Sequence, residues 1–153
     1  MSGLLVPANS TVPLSLRPVE DSATAISDLL GGVLLDDPRV LPLADGPAVT
    51  IYQGEDRASL PVNDRLTVLA TRLGIVDRAF HATARGDALV LGVTRRTIDV
   101  DVPDAVTVAA HRCGYRVAAA TPSPASTRAG AALQGTAQSP GTVGSGGSGP
   151  TPR

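Results

Sequence analysis

The sequence predicts an α+β domain, a small and mostly antiparallel sheet with two or three helices packed on one face, followed by a disordered C-terminal tail. Three observations carry this expectation. Helix signals with both ends marked occur three times, runs of apolar–polar alternation lie between them, and from residue 118 the composition narrows to a few small residues. The predicted order, β-α-β-β-β-α-β-β-α, holds too few helices for a doubly wound parallel sheet.

In chain order, residues 1–10 are assigned to a flexible N-terminus and residues 11–117 to the globular domain. Val12, Leu14 and Leu16 alternate with Pro13, Ser15 and Arg17, the pattern of a half-buried strand, and Pro13 suggests an edge or a strand start. The first helix is capped at Asp21-Ser22, buries Ile26, Leu29 and Leu30, and stops at Gly31-Gly32. Strands are expected at residues 33–35 and 40–43, either side of Asp36-Asp37-Pro38, and at residues 49–52 before a turn at Gly54-Glu55-Asp56. The second helix is the clearest. Pro61 holds the incoming chain extended, Asn63 caps, Asp64 favours the first turn, Leu66, Leu69 and Leu73 form one stripe, and Gly74 terminates. Residues 87–93 are apolar on both faces, as a central strand would be, and Gly86 supplies the turn before them. Ile98, Val100 and Val102 then alternate with polar residues, and a third helix is expected to start at Pro103, bury Val106, Ala109, Ala110 and Cys113, and end at Gly114.

The tail is read at residues 118–153. Of these 36 residues 30 are Ala, Gly, Pro, Ser or Thr and none is acidic, so the segment cannot bury enough apolar surface to offset the entropy of ordering it.

In this order the chain resembles a known family. Gly31-Gly32 after a short helix, Tyr52 to Glu55 at a hairpin, Leu60-Pro61-Val62-Asn63 opening a helix, and Gly86-Asp87 before an apolar strand ending at Gly92 are similar to domain of unknown function 3846. That small family occurs in actinobacteria, other bacteria, their phages and plasmids. The resemblance covers roughly residues 12–115, and its most specific piece is Leu60 to Asn63 with Thr67 beyond. Leu35 and Leu66 stand where members often carry Glu and Ala. The resemblance implies a setting among mobile elements and no activity, cofactor or catalytic residue.

Composition narrows the function classes. All 13 basic residues are Arg, against 14 acidic ones that all fall between Glu20 and Asp104, so no basic footprint for nucleic acid stands out. With no Trp, one Phe and two Tyr, stacking platforms for bases or sugars are scarce. The lone Cys113 suits a reducing compartment, no apolar run approaches a membrane span, and no signal or myristoylation pattern opens the chain, so a cytoplasmic location is expected.

Each chemistry-bearing residue has an ordinary account. His81 and His111 are the side chains that titrate nearest neutral pH, but His111 and Cys113 would be turned about 200° apart on a helix, which disfavours a catalytic pair. Asp99, Asp101 and Asp104 could hold a hard cation, yet the first two fit the wet face of a strand and the third a helix N-terminus. Glu55-Asp56, Arg85-Gly86-Asp87 and Arg95-Arg96 read as turns, and without Lys no phosphate-binding P-loop can exist. No catalytic, cofactor or metal residue is therefore assigned. Asn63, Gly31, Gly32, Pro61 and Gly86 are read as structural, and the expected role is a non-enzymatic protein-interaction module, with a small enzyme or ligand-binding domain as the alternative.

Overall fold

In the computed structural model the described residues are 1–33, 35–44, 46–96 and 98–119, with the side chain of Arg57 also outside the description. They form a seven-stranded sheet and four α-helices. The elements are β1 (Ser2–Val6), β2 (Leu14–Pro18), α1 (Ala23–Leu29), β3 (Arg39–Leu41), β4 (Val49–Gln53), a 3-10 turn at Arg57–Ser59, α2 (Asp64–Arg72), α3 (Arg78–Thr83), β5 (Ala88–Val93), β6 (Asp99–Val100), α4 (Asp104–Arg112) and β7 (Val117–Ala118). The strand order is β3-β4-β5-β1-β2-β7, with β6 paired to β5. Every pair is antiparallel except β2 with β7, so the sheet is mixed but mostly antiparallel.

The largest correction lies at the start of the chain. Residues 1–10, expected to be flexible, supply β1, which sits between β2 and β5 with Leu4 opposite both Leu16 and Val90. Leu4 and Val6 have no exposed surface and Leu5 packs on the opposite face, so a three-residue apolar run is enough when neighbouring strands satisfy the backbone on both sides. As a result β2 is not an edge strand, because β7 takes the outer side of Leu14 and Ser15. Of the strand expected at residues 33–35, Leu34 lies outside the described residues and Leu35 forms a bridge to Gly54, while Arg39–Leu41 pairs fully with β4.

β5 is the central strand, buried along all six residues. Ala88 and Val90 join Leu4, Val6, Val49 and Ile51 on one face, where Leu66, Leu69 and Ala70 of α2, Phe80 of α3, and Val106, Ala109 and Ala110 of α4 cover them. Leu89 and Leu91 join the second face, covered by Ile26 and Leu30 with Val19. Three helices therefore share one face, and α1 occupies the other, which the sequence reading had not separated. α4 begins at Asp104, with Pro103 at the capping position and no side-chain cap bond. The expected tail overlaps β7 at Ala118, and residues 120–153 lie outside the described residues.

Candidate functional site

Asn63 is more than a helix cap. Its Oδ1 accepts the Leu66 N–H at 2.9 Å, and its Nδ2 donates to the Val6 carbonyl at 2.9 Å and the Gly86 carbonyl at 2.8 Å. The side chain has no exposed surface, so every one of these bonds is made away from water. Asn63 thus ties together the end of β1, the start of α2 and the turn into β5. Pro61 belongs to the same knot, since its carbonyl accepts the Gly86 N–H, and Val62 bridges Arg85. Gly86 lies at φ 68, and a Cβ there would press on the Leu60 side chain, so glycine is strongly favoured. Gly31 and Gly32 close α1 at φ 86 and 76. Leu30, Val33, Gly54, Leu60, Pro61, Gly86 and Asp87 line a cavity of about 210 Å³, so the end of α1, the end of β4, the approach to α2 and the turn into β5 meet at one corner.

The acidic run does not converge. Asp99 accepts a hydrogen bond from the Tyr52 hydroxyl, and Asp101 accepts the Ser2 N–H at 2.6 Å. Burial raises the Tyr52 phenol well above its ordinary range, and the Asp99 hydrogen bond and charge push it the same way. Among the described residues no three His, Cys, Asp or Glu side chains come together as a metal set. Asp101, Asp104 and His111 do line one cavity of about 430 Å³, with Thr107 between the last two.

The other candidates are occupied locally. His81 donates from Nε2 to the Ile75 carbonyl at 2.9 Å, its buried Nδ1 has no partner, and its ring meets Phe80 edge-on. Nε2 carries a proton in this bond, because a carbonyl can only accept. Arg85 donates to the Leu60 carbonyl, and Asp87 accepts the Ala8 N–H at 2.8 Å. Glu55 and Asp56 are exposed between β4 and the 3-10 turn, where the chain runs on to α2 and makes no hairpin of the kind expected, and Asp56 accepts the Ser59 hydroxyl. Arg95 and Arg96 turn between β5 and β6.

The surface that remains chemically open is a groove between α2 and α4. Two adjoining cavities, about 290 and 530 Å³, share Thr71, Arg72 and Arg112 in their walls. Val108 and Val68 stand beside them, 44% and 47% exposed, on the outer faces of helices whose inner faces are core. Arg65, by contrast, is spent: its Nη1 donates to the carbonyls of Asn9 at 2.9 Å and Val12 at 2.6 Å, and its guanidinium lies 5.4 Å from the Tyr115 ring centre. Cys113 lines the groove while His111 lines the cavity described above, so the two neighbours serve different surfaces. Sequence reading missed Arg72 and Arg112 because a single arginine in the last turn of a helix is ordinary dipole chemistry. The usable signal was that Val68–Arg72 and Val108–Arg112 repeat one spacing on two helices.

No family model, curated protein or solved structure matches this chain.

Proposed function

We propose that the domain is a non-enzymatic protein-interaction module that works through the groove between α2 and α4. The observation that carries the reading is the pair of exposed valines, Val68 and Val108, on the outer faces of two well-buried helices that border open cavities. In the same reading the chain is a member of the domain of unknown function 3846 family acting beside mobile elements, on the strength of the motif at Leu60 to Asn63. It also works in the cytoplasm, where a half-buried free Cys113 stays reduced, and it does not bind nucleic acid, because carboxylates outnumber arginines through its middle. No described helix is long and apolar enough to cross a membrane.

Cys113 is the sole thiol and stands in the groove, so it can carry a photo-crosslinker without further mutation. In an extract of the native host the labelled chain should yield one discrete protein adduct. Excess unlabelled chain should compete the adduct away, and Val68→Asp with Val108→Asp should abolish it. Adducts that survive those substitutions, or none at all, would sink the reading.

A second reading has one observation in its favour. Asp101, Asp104 and His111 line one cavity, so that a small molecule bound there would meet both an imidazole and carboxylates, the residue types of acid–base work. A screen of small molecules by NMR that shifts His111 while leaving Cys113 unmoved would favour it.

A further inference from the structure

The two helices that wall the groove carry one pattern. Asp64-Arg65-Leu66-Thr67-Val68-Leu69-Ala70-Thr71-Arg72-Leu73-Gly74 and Asp104-Ala105-Val106-Thr107-Val108-Ala109-Ala110-His111-Arg112-Cys113-Gly114 agree at Asp, Thr, Val, Ala, Arg and Gly. Part of this agreement is helix grammar. An aspartate in the first turn suits the helix dipole, Ala70 and Ala110 are core, and Gly74 and Gly114 lie at φ 76 and 79 just past each helix. Grammar does not ask for an exposed valine followed four residues on by an arginine, twice.

That spacing puts valine and arginine on one side of each helix. The helices then run antiparallel, because Arg65 at the start of α2 stacks on Tyr115 just after α4, while Leu73 and Gly74 past the end of α2 share a cavity with Ala105 at the start of α4. Antiparallel packing of two like helices brings both valine–arginine pairs to the same groove. Neither Arg72 nor Arg112 has a hydrogen bond or ion pair among the described residues, and no carboxylate lines either cavity, in a domain where acidic residues are in excess.

We propose that this groove binds an acidic amphipathic segment of a partner protein, whose carboxylates pair with Arg72 and Arg112 and whose apolar side chains cover Val68 and Val108. The proposal rests on the interaction-module reading and specifies the partner. Charge complementarity selects the occupant. The last carbonyls of each helix place roughly half a negative charge nearby, less than the two full guanidinium charges, so the groove stays attractive to anions. Guanidinium forks match carboxylates in two-point contact, which a compact ammonium would not supply. A second copy of the same face would set arginine against arginine. Nucleic acid is disfavoured by the absence of an aromatic side chain in either lining and by a basic footprint of only two arginines.

The test is selection of short random peptides displayed on phage against the full chain, with affinities of the enriched sequences then measured by fluorescence anisotropy. Enriched peptides should carry Asp or Glu beside Leu, Ile or Val, weaken as salt is added, and slow the alkylation of Cys113 when bound. Arg72→Glu and Arg112→Glu should each lower affinity about tenfold or more, whereas Arg→Lys at either position, which keeps the charge and loses the two-point contact, should lower it by a smaller factor. The double glutamate variant, checked for an unchanged circular dichroism spectrum, should enrich basic peptides instead. Neutral or basic peptides enriched by the unaltered chain, or acidic ones indifferent to both glutamate substitutions, would overturn the charge assignment. If such peptides are still lost on Val68→Asp, the module reading survives without it. No enriched peptide and no crosslinked adduct would bring down both, and duplex DNA binding that depends on Arg72 and Arg112 would overturn the peptide proposal in favour of a nucleic-acid surface.

Discussion

At the scale of single residues, Asn63 separates what a sequence pattern can name from what it cannot. The cap is legible, since Asn before Asp64 and an apolar stripe is a standard helix start. The two Nδ2 bonds to Val6 and Gly86 are not, because both acceptors are distant in sequence and one lies in a strand that the pattern concealed. The substitution series inverts accordingly. A cap alone would tolerate Asp or Ser, but here Asn63→Asp sets a buried carboxylate against two carbonyls that have lost their donor. Asn63→Asp and Asn63→Ala should each cost about 3 kcal/mol or more in urea unfolding, and Asn63→Ser should not rescue stability, since it keeps the cap and loses both long-range bonds. A silent Asp variant would reduce Asn63 to a cap.

Elements were legible in proportion to how far local chemistry alone decides them. α2 stood out because cap, stripe and terminal glycine agree, and β5 because a short apolar run between the Gly86 turn and Arg95-Arg96 has the length of a buried strand. α3 was missed. It is six residues long, and only Phe80 is buried, so it shows no stripe to detect. Asp77 holds its start by accepting the N–H groups of Ala79 and Phe80, and the ring then anchors the helix in the core. Phe80→Ala should therefore cost about 3–5 kcal/mol, a loss concentrated in one contact, whereas Val68→Ala on α2 should change stability by less than about 0.5 kcal/mol. Thermal denaturation of the two variants side by side checks both. The groove was illegible for a different reason. Its two arginines belong to helices whose antiparallel contact no local signal specifies.

For the molecule as a whole, the sheet depends on its first strand. β1 joins the β2–β7 half to the β3–β4–β5 half, and among the described residues no other strand bridges them. Removing residues 1–8 should leave a chain without dispersed amide resonances, however sound its helix signals, because two half-sheets would each present an unpaired apolar edge. A well-dispersed spectrum from that shortened chain would mean that β2 can pair with β5 directly.

The position of β1 also has a temporal side. A ribosome delivers Leu4 and Val6 before Val90 and Ala88, their partners across the sheet, which follow only after α1, α2 and α3 have emerged. Until then β1 can hold only its hairpin with β2, and a lone hairpin is barely stable in water. Closure of the core is thus a late event that joins distant parts of the chain, which slows folding and keeps one apolar strand edge open during synthesis. For this domain the pace of translation through β5, more than the strength of any single helix, sets how long that edge stays open to association with other chains.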